Sequence, residues 1–434
     1  MFHRCRYDFS VFAYFNNDIG KVFFPQQEKD TQIALSFTVF GIAFFARPIG
    51  SILLGRIGDK YGTKVAIEIS ILCMGFSTFT LGCLPSFRTV GWIAPILLII
   101  IRFLQGLSVG GQYISTVIFS VKDTSKKSQG FILALVGASG SVGFFLGNML
   151  SILLHNVLTE DQLHNWGWRI PFWLGILVCI SGFYLKYFID EESDAHHFND
   201  MDHLKQVFSP IGYQPTLLMA LSVAAGAVSF YLLFTWAPSY MSHLLKPPVP
   251  HAYIINAAAF FGSNILFLPI AGLIVDRVKL VPIYVASTVM IGICDPLTII
   301  LIDRVRSTIV SFLAIVITGC LTSFYTPAVL IYFQDKFPQD IKVTAMSFGY
   351  NISVAIFGGF APAIATGLLK VGRIAPATMA AIAASITLLG IYLSEKYLKI
   401  YQEDRAPVGA SMHEEPSTLS ESLLSSDRTK TQET

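Results

Sequence analysis

Gly55-Arg56-Ile57-Gly58-Asp59-Lys60-Tyr61-Gly62-Thr63-Lys64 separates two long apolar stretches, and its reading decides the fold. The glycines let two helices turn back on each other at close range, and the charges keep the turn at a water boundary. Asp59 falls where the preceding helix ends, in reach of the N–H groups at a neighbouring helix N-terminus. On either side of this turn, apolar stretches recur at the roughly 20-residue length that a bilayer-spanning helix requires. They fall at 7–24, 32–57, 65–85, 92–121, 129–153 and 170–189, then at 214–241, 253–275, 281–302, 308–333, 344–369 and 375–395. The pattern predicts an all-α membrane protein of twelve spans.

Composition excludes most alternatives. Hydrophobic residues make up 53% of the 434 and charged residues 13%, against about 25% charged in a soluble domain, whose surface must stay wet. A net charge of +2 is too small to argue for nucleic acid. Cys5, Cys73, Cys83, Cys179, Cys294 and Cys320 are scattered through apolar runs with no CxxC pair, which fits packing and neither a disulfide framework nor a zinc site. No nucleophile–base pair, metal cluster or phosphate-cradling loop argues for an enzyme, and no cofactor is expected. His196-His197 is read as solvated linker, because no third ligand stands at a plausible spacing.

The turn has an echo. Gly272-x-x-x-Asp276-Arg277 follows the eighth span as Gly55-x-x-x-Asp59-Lys60 follows the second. Two corresponding six-span halves, with substrate held between them, are the architecture of many secondary transporters. The expected organisation is a six-helix bundle over 1–189, a cytoplasmic linker over 190–213, a second bundle over 214–398 and a disordered cytoplasmic tail over 399–434. Gly55, Asp59, Lys60, Gly62, Asp276 and Arg277 form the expected conformational gate. Basic residues favour the loops on the termini's side (Lys60, Lys64, Lys122, Lys126 and Lys127, for example), placing both termini inside.

Buried polar stripes mark the expected pathway. At 100° per residue, Arg102, Gln105, Gln112, Tyr113 and Thr116 fall on one arc of the fourth span, with Gly106 and Gly110 on the adjoining arc. An arginine in such a stripe cannot face lipid. It lines a wet cavity, meets a counter-charge, or belongs to a buried hydrogen-bonded set. Ser222, Ser229, Trp236 and Tyr240 align on the seventh span, and Thr318, Thr322, Tyr325 and Tyr332 on the tenth. The intramembrane acids are Asp8, Asp18, Glu68 and Asp295; Asp8 is placed to pair with Arg102 or Arg47.

Motifs along the chain carry a resemblance. They are Tyr7-Asp8-Phe9, Gly20-Lys21-Val22-Phe23-Phe24-Pro25, Ala46-Arg47-Pro48-Ile49-Gly50, the Asp59 turn, and Arg102-Phe103-Leu104-Gln105-Gly106-Leu107-Ser108-Val109-Gly110-Gly111. Trp166-Gly167-Trp168-Arg169-Ile170-Pro171-Phe172, Pro238-Ser239-Tyr240, Phe337-Pro338 and Tyr350-Asn351-Ile352-Ser353 follow in order. Together they resemble the major facilitator superfamily, and within it the metabolite:proton symporters. The resemblance implies a twelve-span fold of two pseudo-symmetric halves in the plasma (inner) membrane. It also implies a small-molecule substrate, proton coupling, a lipid surround and a monomeric carrier.

Two departures stand out. Gln112 replaces a family Glu and cannot take up a proton, which leaves Asp8 as the coupling acid or makes the protein a uniporter. Asp8 also follows few residues, so either the first helix is shortened, with Asp8 shallow, or the start lies upstream. For substrate, Arg47 and Arg102 suit a carboxylate, and Tyr113, Trp236, Tyr240 and Tyr325 suit an aromatic enclosure for an ammonium. The sequence therefore favours a proline/betaine-type zwitterion. The alternatives are an α-ketoglutarate-, citrate- or shikimate-type organic acid, or a non-transporting sensor on the same scaffold.

Overall fold

The computed structural model describes residues 2–61, 63–121, 124–176, 209–334, 336–337 and 342–403. Among these residues nine helices are long and apolar enough to cross a membrane. The first half runs α1 (Phe2–Tyr14), α2 (Asn16–Phe23), α3 (Lys29–Tyr61), α4 (Thr63–Cys83), α5 (Ile93–Val109), α6 (Gln112–Val121), α7 (Gln129–Val157) and the short α8 (Glu160–Asn165). The second half runs α9 (Gly212–Leu244), α10 (Ala252–Val275), α11 (Leu280–Val305), α12 (Thr308–Gln334), α13 (Lys342–Leu368) and α14 (Thr378–Glu403). The stretch expected as the first span is α1 and α2 with a turn at Phe15, and the fourth is α5 and α6 meeting at Gly110 and Gly111. The expected sixth span is helical from Ile170 to Trp173, and its residues from 177 onward lie outside the described residues.

Burial is inverted relative to a soluble bundle. Phe45, Ile49 and Leu53 on α3, and Ile96, Ile100 and Leu104 on α5, recur every four residues and are exposed. Asp8, Arg102, Gln105, Asn148, Asn256 and Asp295 are buried. Apolar stripes outside and polar groups inside are what hydrocarbon surroundings select, because an unpaired polar group costs several kcal/mol there. The protein is a multi-pass integral membrane protein.

Without a hydrophobic drive between helices in lipid, close backbone approach takes over. A Cβ on Gly50 would overlap the carbonyl of Leu107, one on Gly106 that of Ala43, and one on Gly110 the backbone of Arg47 and Ser51. These glycines set α3 against α5. Gly147 meets Ser10 in the same way, joining α7 to α1.

Helix extends into the end of the stretch expected as linker. Ser209 has extended backbone angles and Pro210 opens the helix, because Ser-Pro supplies a cap residue and a first-turn residue that needs no N–H donor. The remainder of the expected linker, 190–208, with His196-His197, lies outside the described residues. Residues 1–391 form one compact unit and Tyr392–Thr434 a second. In the second unit helix continues to Glu403, past the expected 398, and 404–434 lie outside the described residues.

The break in α9 at Ser222 is bridged by its neighbours. The Tyr284 and Tyr325 hydroxyls each donate to the Ser222 carbonyl at 2.5 Å, and the Ala225 N–H donates to the Thr387 hydroxyl at 2.9 Å. Borrowed partners let an intramembrane helix bend without stranding polar backbone. Wide turns interrupt α9 at Leu232–Trp236, α10 at Phe261–Phe267 and α13 at Val354–Gly359. Such turns re-aim side chains and recur at functional sites.

Candidate functional site

A cavity of about 130 Å³ lies between first-half and second-half helices. Phe9, Arg47, Tyr113 and Phe144 wall it from one side, and Tyr231, Asn264, Tyr325 and Tyr350 from the other. The Tyr113 and Tyr350 rings meet at 5.0 Å, and Tyr325 is fixed by its bond to Ser222. Asn351, also on the wall, donates to the carbonyls of Gly110 and Ser347, so α13 is tied to the hinge between α5 and α6. The Arg47 guanidinium stacks on Phe44 at 3.9 Å and Phe9 at 4.3 Å, which orients its donors.

Behind Phe9 lies a second, closed pocket. Asp8, Thr78, Arg102 and Gln105 are each fully buried in it. Arg102 Nη1 donates to Gln105 Oε1 at 2.9 Å, and Gln105 Nε2 donates to Thr78 Oγ1 at 2.8 Å. The Arg102 guanidinium also lies over Phe12 at 4.1 Å and Phe9 at 5.0 Å. Among the described residues, both Asp8 oxygens, and Nε and Nη2 of Arg102, have no hydrogen-bond partner. Asp8 is buried within the protein on α1, which packs along α7, and the neighbouring Arg102 guanidinium lies over Phe9, Phe12 and Phe40. The phenylalanine ring between Arg47 and Arg102 separates a polar pocket from the cavity.

The fourth-span stripe is thus divided. Arg102 and Gln105 belong to the closed pocket, Tyr113 to the cavity, and buried Gln112 lies at the start of α6 beyond the glycine hinge. Helical periodicity carried across Gly110 and Gly111 does not anticipate that break. The expected aromatic enclosure is also rearranged. Tyr113 and Tyr325 take part, but Trp236 stacks on Tyr240 at 4.5 Å and donates to Thr366 at 3.0 Å, away from the cavity. Tyr231 and Tyr350 stand where Trp236 and Tyr240 were expected. Tyr350 opens one of the motifs quoted above; Tyr231 carries no sequence signal beyond its aromatic type.

Of the expected gate, Asp276 is the member whose contacts are visible. Its carboxylate accepts from the Gly130 N–H at 2.6 Å and the Phe131 N–H at 2.9 Å, capping the N-terminus of α7 from the other half. Gly272 lies against Gly130 at the same crossing. A carboxylate at a helix N-terminus gains from both the free N–H groups and the dipole. Arg277 turns out of the end of α10, its N–H bonded to the Ile274 carbonyl at 3.0 Å. Gly55, Asp59 and Lys60 fall in the last turns of α3; their side chains, and the whole of Gly62, lie outside the described residues.

The profile of the Major Facilitator Superfamily matches residues 9–362. The chain belongs to the Major Facilitator Superfamily. The Proline/betaine transporter of Escherichia coli (strain K12) is 31% identical over 379 residues, covering 84% of this chain and 75% of that protein. The Citrate-proton symporter of Klebsiella pneumoniae is 26% identical over 371 residues, covering 84% of this chain and 82% of its own length. Among solved structures, the proton:xylose symporter XylE bound to 6-bromo-6-deoxy-D-glucose superposes with a TM-score of 0.72 at 14% identity, covering 92% of this chain and 93% of that one. That likeness concerns the fold. Superfamily membership makes the protein a transporter built on the major-facilitator fold.

Proposed function

We propose that the protein is a proton-coupled symporter of the plasma (inner) membrane, carrying a proline- or betaine-type zwitterion. The observation that supports this best is a single cavity joining an arginine to an aromatic wall. A carboxylate pairs with the Arg47 fork, and an alkylated ammonium lies against the rings of Tyr113, Tyr325 and Tyr350. A volume of about 130 Å³ is well under the roughly 300 Å³ at which pockets for drug-sized ligands begin, so the cargo is small. The similarity to a proline/betaine transporter supports the same class.

Asp8 is the coupling acid in this reading. A fully buried carboxyl group is costly as an anion, so it enters the closed state carrying its proton. Arg102 lies in the same pocket and stabilises the anion once the pocket is wet. Gln105 and Thr78 hold Arg102 in place, and Phe9 separates the two pockets until substrate displaces it. The bundles 1–189 and 214–398 rock about the cavity as two domains, with both termini cytoplasmic and one chain as the working unit. Asp276, with Arg277 beside it, latches one face. Asp59, Lys60 and the glycines at 55 and 62 serve the corresponding face of the repeat.

Uptake of labelled proline, glycine betaine, citrate and α-ketoglutarate into proteoliposomes with an imposed pH gradient tests the proposal. Accumulation of the zwitterions, abolished by a protonophore, is the expected result; uptake of the organic acids alone overturns the substrate reading. The organic-acid alternative has its own support in Arg47 on the cavity wall together with the similarity to a citrate–proton symporter.

A further inference from the structure

At the opposite end of the bundle from Asp276, a second cluster of titratable groups lies across the seam between the halves. Asp18, on α2, is 2% exposed, with its two oxygens shared between two histidines. His155 Nε2, at the end of α7, lies 3.1 Å from Oδ2, and His164 Nε2, on α8, lies 3.1 Å from Oδ1. The second ring nitrogen of His155, Nδ1, is 2.8 Å from the Ser151 carbonyl oxygen. The Ser151 hydroxyl is further away, at 3.3 Å.

Counting donors decides what this arrangement holds. A carbonyl oxygen only accepts, so the 2.8 Å contact requires a proton on Nδ1. The contact with Asp18 then requires a second proton, either on Nε2 or on the carboxyl oxygen. In either placement the pair carries one proton more than a carboxylate beside a neutral imidazole. The same ring is the contact with the other half. It stacks on Tyr253 of α10 at 6.1 Å and 18°, and the Tyr253 hydroxyl lies 3.4 Å from His243 Nε2 of α9.

Beside this stack the seam is closed by hydrogen bonds. Tyr14 donates to the Phe234 carbonyl at 3.0 Å, and Ser239 donates to Asn16 at 2.9 Å. An imidazolium binds an aromatic face more strongly than a neutral imidazole does. With the proton on His155, the pair therefore strengthens this contact with the other half.

We infer that Asp18 and His155 form a second proton-binding site, separate from Asp8, whose occupation holds the two halves together at this end. By linkage, a proton that binds the closed arrangement more tightly shifts the population toward it. Loss of the proton forces His155 to give up either the Ser151 carbonyl or Asp18, and its ring loses its fixed position against Tyr253. The surrounding charged and titratable groups set the pH at which this happens. Lys21 lies 3.3 Å from His164 and 3.8 Å from Glu160, and Lys29 lies within electrostatic reach of His243. The inference rests on the rocking of two halves proposed above, and on no choice of cargo.

The test is a distance across the seam in the full chain reconstituted in lipid nanodiscs. Spin labels at Thr89→Cys and Val371→Cys, both exposed, in a background lacking the native cysteines, report the separation of the halves at this end. Between about pH 5 and 9, where imidazoles titrate, the short-distance population is expected to give way to a longer one. The change should follow a one-proton curve about two pH units wide. Asp18→Asn and His155→Gln should abolish the transition, and Asp8→Asn should shift its midpoint at most and leave a transition that Asp18→Asn still removes; His155→Asn replaces His155→Gln if the latter does not elute as a monodisperse peak. A flat wild-type profile, a transition that survives both Asp18→Asn and His155→Gln, or one lost in Asp8→Asn overturns the inference. Failure to transport proline or betaine, with the transition intact, counts against the cargo alone.

Discussion

Phe9 is the residue on which the site turns, with the Arg47 guanidinium 4.3 Å from its ring and that of Arg102 5.0 Å from it. One arginine lines the cavity and the other is buried with Asp8, so in the proposed mechanism substrate and proton have separate addresses joined through one side chain. Asp8→Asn keeps the shape and removes the exchangeable proton. It is expected to abolish accumulation driven by a pH gradient while leaving exchange of labelled for unlabelled substrate within a few-fold of wild type, measured by counterflow. Gln112→Glu restores a titratable acid near the hinge of the fourth span. Its uptake should become more steeply dependent on pH than that of the wild type, and an unchanged profile would argue that Gln112 is outside the coupling path.

At the scale of elements, packing depends on the absence of side chains as much as on their presence. Gly106 and Gly110 let α5 lie against the backbone of α3 near Arg47, and so place Arg47 and Tyr113 on the same cavity. Gly106→Val has nowhere to put its branched side chain except into the Ala43 carbonyl, and overpacking of this kind costs about 1–3 kcal/mol or more. The expected outcome is a lower thermal unfolding temperature in detergent together with weaker substrate binding, both read by a thermal-shift assay with and without substrate.

The glycine spacing was legible in the sequence, because residues four apart share a helix face whatever they touch. The break at Gly110 and Gly111 was not legible, since paired glycines permit continuous helix and a hinge alike. Its consequence, a stripe divided between a closed pocket and an open cavity, depends on Asn351 of α13 bonding the Gly110 carbonyl.

At the scale of the molecule, the proposed rocking places two seams between the halves. Asp276 closes one by capping α7 from the other half, a contact worth about 1–2 kcal/mol by analogy with helix caps and dipole partners. Asp276→Asn retains an acceptor and loses the charge. A cysteine introduced on the cavity wall is expected to become severalfold more reactive toward a thiol reagent applied from that face, with little loss of folded protein. Unchanged reactivity would mean that the cap is structural and does not bias the equilibrium.

The sequence by itself determined the membrane, the helices and the family. Hydrocarbon tolerates few charges and no unpaired backbone, so length and composition of the apolar runs suffice, and the ordered motifs do the rest. It also singled out Asp276, which caps α7, since a carboxylate at a helix end is a local feature. Which polar residues share a pocket was decided only by tertiary structure. Trp236 and Tyr240 left the expected enclosure for Thr366 and each other. Asp8 is buried beside Arg102, whose guanidinium lies over rings from α1 and α3. Asp18 gained its two histidines from residues 137 and 146 positions away in the chain. The physical reason is the same in each case: helical periodicity fixes the direction in which a side chain points, whereas its partner is set by the angles at which helices cross.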